Sequence, residues 1–344
     1  MIHLYLGLLL FSFLITCVAV VPFINILYKL KFQRQNQKTL DFQNKRTPIF
    51  DKFHSKKTGT PVGGGLLIIV VTSILYAFIF PLLKFSNIFI SSNYPIVTEI
   101  VIIFFSFISF ALLGLYDDIL KFFGFQKTGF FGLKMIHKLI LQIVISLIIS
   151  SLIYFQLGIN FIYIPFIGPL YLGILSIPIF SLIISGFANF FNITDGLDGL
   201  SCGLLMISLF GFWFLSNTSL DTPISLFLAL WLGSLIAFLY FNINPARIWL
   251  GDVGALSFGA TFAVIAILLG KVIPLLIVGS PFIIEGMSSA IQIISKKYFH
   301  KKVIPAAPLH ITLQYLGWEE HKIVARAWLA GIILTIIGLW LGLN

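Results

Sequence analysis

The chain has 344 residues, 59% apolar and 10% charged, with a mean hydropathy of +1.05; soluble domains run about 45–50% apolar and about 25% charged, so a water-soluble enzyme is excluded and an integral membrane protein is indicated. The formal net charge of +10 reads as topology and attraction to anionic headgroups rather than nucleic-acid binding, because the basic residues are spread over several loops and form no single stripe. Cys17 and Cys202 lie far apart in or beside apolar runs, with no zinc-site or redox spacing, and read as small apolar fillers.

A membrane-spanning helix needs about 20 apolar residues. Ten such runs follow one another, at 4–27, 62–83, 98–116, 135–156, 169–188, 200–216, 224–241, 254–270, 273–295 and 324–343. The first has neither the basic n-region nor the small-residue cleavage site of a signal peptide, so it is expected to stay as a span. Residues 31–58 are the one long polar stretch, a basic loop with room for a short interfacial helix. The runs are too long for barrel strands, which need about 9–11 alternating residues. The expectation is a single all-α polytopic membrane domain over 1–344 with about ten transmembrane helices.

The charges support that count. The odd-numbered connections carry nine Lys and Arg residues (Lys29 to Lys57), four (Lys121 to Lys138), none, one (Arg247) and six (Lys296 to Arg326), whereas the even ones hold Lys84 and Lys271. By the positive-inside rule the odd connections face the cytoplasm and both termini lie outside. Nine of the twelve carboxylates share the odd connections, leaving Glu99 and Asp221 outside and Glu285 within the ninth span. Chemistry on a charged substrate from the cytosol is therefore expected.

Four constellations lie on that side. Asp117-Asp118 ends the third span; two adjacent carboxylates repel each other at a membrane boundary, so headgroup water, a divalent cation or Lys121, one helical turn on, has to compensate. The run from Asn189 to Gly203, NFFNITDGLDGLSCG, packs two Asn, two Asp and three Gly between the fifth and sixth spans. Asn192, Asp195 and Asp198 supply oxygens suited to Mg²⁺ or to sugar and base hydrogen bonds, although Asn and Gly also make plain turns. Between the seventh and eighth spans, FNINPARIWLGDVGALSFG brings Asn242, Arg247 and Trp249 within ten residues of Asp252. That combination offers a metal ligand, a phosphate-facing cation and a flat ring for a nucleobase, with helix capping by Asp252 as the plain alternative. The ninth connection places His310 after Pro308-Leu309, a candidate phosphate-side donor. Gly59 to Gly65, GTPVGGG, follows Lys57 and opens the second span; its glycines allow either close approach to phosphate or tight helix packing.

In this order and with these spans between them, the segments resemble the polyprenyl-phosphate N-acetylhexosamine-1-phosphate transferase superfamily (glycosyltransferase 4) and, within it, the phospho-N-acetylmuramoyl-pentapeptide transferase branch. NITDGLDGL together with GDVG carries the superfamily likeness, and APLH and LGWEEHKIVARAW carry the branch. The resemblance implies that Asp117, Asp118, Asp252 and His310 are catalytic, with Asp252 and Asn192 holding Mg²⁺. It implies Asn189, Asn192, Asp195, Asp198 and Asn242 around the nucleoside diphosphate, Lys57, Lys121 and Lys134 near phosphates, and Trp249 stacked on uracil. The implied reaction moves phospho-MurNAc-pentapeptide from UDP-MurNAc-pentapeptide to undecaprenyl phosphate, giving lipid I and UMP, by direct attack or through a covalent aspartyl intermediate, in a homodimer in the bacterial inner membrane. Two segments depart from the branch pattern: His310-Ile311-Thr312 stands where the branch has three consecutive histidines, and Val62 stands where a Thr usually follows Pro61. They keep a transferase for another UDP-N-acetylhexosamine, such as UDP-GlcNAc, as the alternative. A membrane transporter is a distant one, since Glu285 is the one carboxylate clearly inside a span and reads as a helix-packing partner.

Overall fold

The computed structural model describes residues 2–33, 59–86, 88–124 and 132–344. In chain order its helices are α1 (Ile2–Lys29), α2 (Gly64–Phe85), α3 (Ile96–Ile119), α4 (Met135–Leu157), α5 (Ser176–Thr194), α6 (Leu200–Thr218), α7 (Thr222–Asn242), α8 (Gly251–Leu268), α9 (Val272–Val278), α10 (Ser280–Ile294), α11 (Leu309–Tyr315) and α12 (Glu320–Leu343). Nine of them, α1 to α8 and α12, are long and apolar enough to cross a bilayer, among the described residues.

The ninth run departs from the single span expected over 273–295. It forms two helices, α9 and α10 with its π-helical extension, bent by 71° at Gly279. The cause is local: Pro281 sits in the first turn of α10, where its missing N–H costs nothing, but inside a continuous helix it would remove a ladder bond and clash with the preceding turn. A second departure lies between α4 and α5. Strands β1 (Phe161–Ile164) and β2 (Gly168–Tyr171) pair antiparallel, Phe161 opposite Tyr171. The run expected from 169 thus begins as a strand, because β-favouring Phe, Ile and Tyr flank a Pro165–Gly168 turn. Glu99, at the start of the third run, stands in the first turn of α3; it is fully buried, and its Oε2 accepts from Ser92 Oγ at 2.7 Å.

The helices are apolar all round, so burial rather than amphipathic periodicity marks the core. In α7 and α8, 89% of the apolar window is buried, against 28% in α1, α4 and α12, which places the first two at the centre and leaves the others facing lipid. Lipid tails supply no hydrophobic drive between helices, so close backbone contact and interhelical hydrogen bonds hold the bundle. Ser12 on α1 donates to the Leu230 carbonyl of α7 at 2.7 Å and lies 2.7 Å from Ser234 Oγ. Ser257 on α8 donates to the Phe107 carbonyl of α3 at 2.6 Å, and one turn on Thr261 meets Ser106 at 3.3 Å. Gly65 of α2 lies against Gly254 of α8 so closely that a Cβ on either would meet the other's backbone.

These contacts set directions. α3 and α8 run antiparallel, so the C-terminal end of α3 meets the N-terminal end of α8. Gly259 of α8 packs on Phe187, Ala188 and Phe191 of α5. Seven residues further toward that end, about 10 Å at 1.5 Å per residue, stand Asp252 on α8 and Asp195 just past α5.

Candidate active site

Asp117 and Asp118 occupy the last turn of α3 and are almost fully buried. Two desolvated carboxylates need fixed positive partners, and each has one backbone donor and at least one ammonium. Asp117 Oδ1 accepts from the Leu133 N–H at 2.6 Å, while its Oδ2 lies 3.1 Å from Lys121 Nζ and 3.0 Å from Lys138 Nζ. Asp118 Oδ2 accepts from the Val253 N–H at 3.0 Å, and its Oδ1 is 3.8 Å from Lys121 Nζ. Asp252, in the first turn of α8, completes the group: its Oδ2 is 2.8 Å from Lys121 Nζ and is hydrogen-bonded to Lys138 Nζ. Three carboxylates share two ammonium groups, which leaves one formal negative charge and makes each lysine a bridge between α3 and α8.

The backbone of 61–65 supports Asp252. Trp249 donates its N–H to the Pro61 carbonyl at 2.8 Å, its carbonyl accepts from Gly63 and Gly64 at 3.1 and 2.9 Å, and the Leu250 carbonyl accepts from Gly65 at 2.9 Å. The three consecutive glycine N–H groups are thus used to hold the Trp249–Leu250 strip, so of the two uses open to GTPVGGG it is tight packing that these bonds serve. Gly251 has φ +78°, and a Cβ there would sit 2.8 Å from Asp118 Oδ2. Only glycine fits that turn without strain or collision.

The loops after α5 and α7 are laced together. Asn242 Oδ1 accepts from the Gly199 N–H at 3.1 Å and its Nδ2 donates to the Ile248 carbonyl at 2.9 Å. Asp198 Oδ2 accepts from Asn244 Nδ2 at 3.0 Å and the Ala246 N–H at 3.1 Å. Both side chains therefore brace the two loops against each other, and Glu320 at the start of α12 adds a third brace by accepting the Asp198 N–H at 2.8 Å. Asp195 Oδ1 accepts from Ser201 Oγ at 2.5 Å. Asn189 donates to Gln142 Oε1 of α4 at 2.6 Å, one turn before half-buried Asn192. Trp249 is half-buried, with its backbone fixed on both sides as above.

The ninth connection reaches the same loops. His310, in the first turn of α11, is buried with Nδ1 3.0 Å from Glu285 Oε2. The Nε2 side of its ring lies against Gly196, where a Cβ would collide with it. Ile311 is packed in the interior and Thr312 Oγ1 donates to the Ala306 carbonyl, so neither position after His310 presents a polar group to that loop.

Among the described residues no three His, Cys, Asp or Glu side chains form a ready-made metal cage. The donor chemistry nonetheless suits Mg²⁺, which prefers one or two carboxylates and fills its octahedron with water and phosphate oxygens. Asp252 is such a carboxylate, and its side chain is the most exposed of the three, at 15% against 3% for Asp117 and Asp118.

The described members of the sequence-derived set are thus gathered at one end of the bundle, with Lys134 exposed at the N-cap of α4 at that same end; Lys57 lies outside the described residues. Lys138, one turn further along α4, is joined to Asp117 and Asp252 and is not among the residues the sequence singles out. The sequence signal for it is an ammonium within the first turn of a span, which is costly unless paired. Glu285 carries the same signal, and its partner is His310.

Residues 100–270 match the family model described as Glycosyl transferase family 4. The chain is similar to the protein of Staphylococcus saprophyticus named phospho-N-acetylmuramoyl-pentapeptide-transferase, 36% identical over 300 residues, 85% of this chain and 88% of that one. Proteins of the same name from Staphylococcus epidermidis and Staphylococcus aureus are 33% identical over 301 residues and 35% identical over 300, with the same shares covered.

Proposed function

The chain belongs to the phospho-N-acetylmuramoyl-pentapeptide-transferase family, and from that premise we propose that it transfers phospho-MurNAc-pentapeptide from UDP-MurNAc-pentapeptide to undecaprenyl phosphate, giving UMP and lipid I for peptidoglycan synthesis. One observation carries the reading: Asp117, Asp118 and Asp252 meet Lys121 and Lys138 at helix ends level with the loop that His310 faces. The UDP-GlcNAc alternative gains nothing from the relatives, whose shared name specifies the muramoyl donor.

Both reactants are phosphate anions, so their charge has to be offset before they approach. Lys121 and Lys138 supply that offset by turning from carboxylate to phosphate oxygens as substrate enters. Asp252, with Asn192, would hold Mg²⁺, which when bound contributes positive charge against the pyrophosphate oxygens. An oxygen of the lipid phosphate then forms the new bond to the sugar-side phosphorus while the bond from that phosphorus to the UMP oxygen breaks. Asp117 and Asp118 orient the attacking phosphate. Direct attack fits them better than a covalent route, because both are tied to backbone N–H and ammonium groups, which blunts a carboxylate as a nucleophile.

We assign the site end to the cytoplasm of a bacterial plasma membrane, because in the sequence the odd-numbered connections hold all but Lys84 and Lys271 of the 22 basic residues. The test is UMP release by purified protein given undecaprenyl phosphate and either UDP-MurNAc-pentapeptide or UDP-GlcNAc, with Mg²⁺ or chelator. Release is expected with the muramoyl donor and Mg²⁺, and Asp252→Asn is expected to lower it by at least about 10²-fold. Turnover with UDP-GlcNAc alone would reassign the donor, and full activity of Asp252→Asn would remove the cluster from the chemistry.

A further inference from the structure

His310 is held from behind by a second buried residue. Its imidazole is 1% exposed. Nδ1 lies 3.0 Å from Glu285 Oε2, and the His310 backbone N–H donates to the same oxygen at 3.3 Å. Glu285 stands on α10, the second half of the broken span, so this contact docks α11 onto it. Ser288, one turn along α10, donates to the Glu285 carbonyl at 2.7 Å and accepts the Leu309 N–H at 3.0 Å, which fixes the start of α11 at a second point.

An ionised carboxylate only accepts hydrogen bonds. The pairing therefore puts a proton on Nδ1 and leaves Nε2 on the other edge of the ring, the edge against Gly196. Helix packing alone would be served by any side chain of this size, whereas one oxygen gripping both the ring and the backbone of the same histidine sets tautomer and orientation together.

We propose that Glu285 is the positioning residue for His310 in the transfer reaction. It keeps Nδ1 protonated, aims Nε2 at the fifth connection, and stabilises the imidazolium formed when Nε2 takes a proton from water, so that Nε2–H can donate to a phosphate oxygen of the bound donor. Glu285 itself touches no substrate. The proposal rests on the transferase reading, and its tests are chosen to fail separately from it.

UMP release is measured for the wild type, Glu285→Gln, His310→Asn and the double variant. Gln keeps the size and an acceptor oxygen but loses the charge. Glu285→Gln is expected to lower kcat about 10- to 100-fold, as loss of a carboxylate behind a functional imidazole does, with the donor KM little changed. In the His310→Asn background the same change is expected to alter turnover by less than about twofold, because a residue acting through His310 has nothing left to act on. Equal losses in both backgrounds, or an unchanged kcat in Glu285→Gln, overturn the proposal. Nitrogen NMR of isotopically labelled imidazoles needs no turnover, and the His310 signals are assigned by their loss in His310→Asn. A proton on Nδ1 in the wild type, shifting toward Nε2 in Glu285→Ala, is the expected result, and a bare Nδ1 in the wild type overturns the proposal even if UMP is released. A protonated Nδ1 in a wild type that releases no UMP supports the pairing and counts against the transferase reading.

Discussion

A single oxygen, Asp252 Oδ2, accepts from both Lys121 and Lys138, so each lysine neutralises a charge that its companion also touches. The two are not equivalent. Lys121 follows Asp117 on the same helix, a spacing that pairs them before any tertiary contact forms, whereas Lys138 comes from α4 and is in place only when α4 docks. Lys138→Met therefore leaves three buried carboxylates against one ammonium and removes a donor from the region where phosphate charge gathers. Its kcat for UMP release is expected to fall about 10²- to 10³-fold, the usual loss for one preorganised donor, while Lys138→Arg retains more activity than Met. Equal activity of Met and wild type would show that Lys138 serves only to dock α4. The paired aspartates and their helical partner were readable from the sequence because their spacing is local. Lys138 was not, because a one-dimensional pattern does not say which helix end meets which. The same holds for the contacts by which Asn242 and Asp198 also hold two loops together, since they join segments far apart in the chain.

Among the helices, spans were readable because hydropathy is a property of each segment, and their breaks were not, because a break inside an apolar run leaves hydropathy unchanged. The signal at Gly279-Ser280-Pro281 was conformational: glycine after one helix and proline in the first turn of the next. Helix crossing distance is set in the same hidden way. α2 and α8 approach at Gly65 and Gly254, where the neighbouring atoms are backbone and cannot rotate aside. Gly65→Ala is therefore expected to destabilise the fold by about 1–3 kcal/mol, the range for forced overpacking. Thermal or denaturant unfolding in detergent measures it. Gly7→Ala on α1, where no atom lies within 4 Å of the added Cβ, is the control and is expected to leave stability unchanged or slightly raised through better helix propensity. Because α8 carries Asp252, Gly65→Ala should also lower UMP release at temperatures where the protein stays folded. Loss of stability without loss of turnover would separate the α2–α8 crossing from the site.

Across the whole molecule, the charge pattern along the sequence and the direction of the helices bear on the same axis. α3, α5 and α7 end where α2, α4, α6 and α8 begin, so Asp117, Asp195 and Asp252 share one end of the bundle and the hairpin of β1 and β2 lies at the other. Among the described residues the basic side chains other than Lys84 and Lys271 stand toward the site end, and the proposed cytoplasmic placement of that end follows from the positive-inside rule. A cysteine-free background, Cys17→Ala with Cys202→Ala, makes the orientation measurable. Thr218→Cys at the hairpin end and Lys301→Cys at the site end are both at exposed positions. In intact spheroplasts a membrane-impermeant maleimide is expected to label Thr218→Cys at once and Lys301→Cys only after permeabilisation. The reverse order would turn the carboxylate–lysine cluster away from the cytosol, where nucleotide-linked sugars are made, and a UDP-linked donor could no longer reach it.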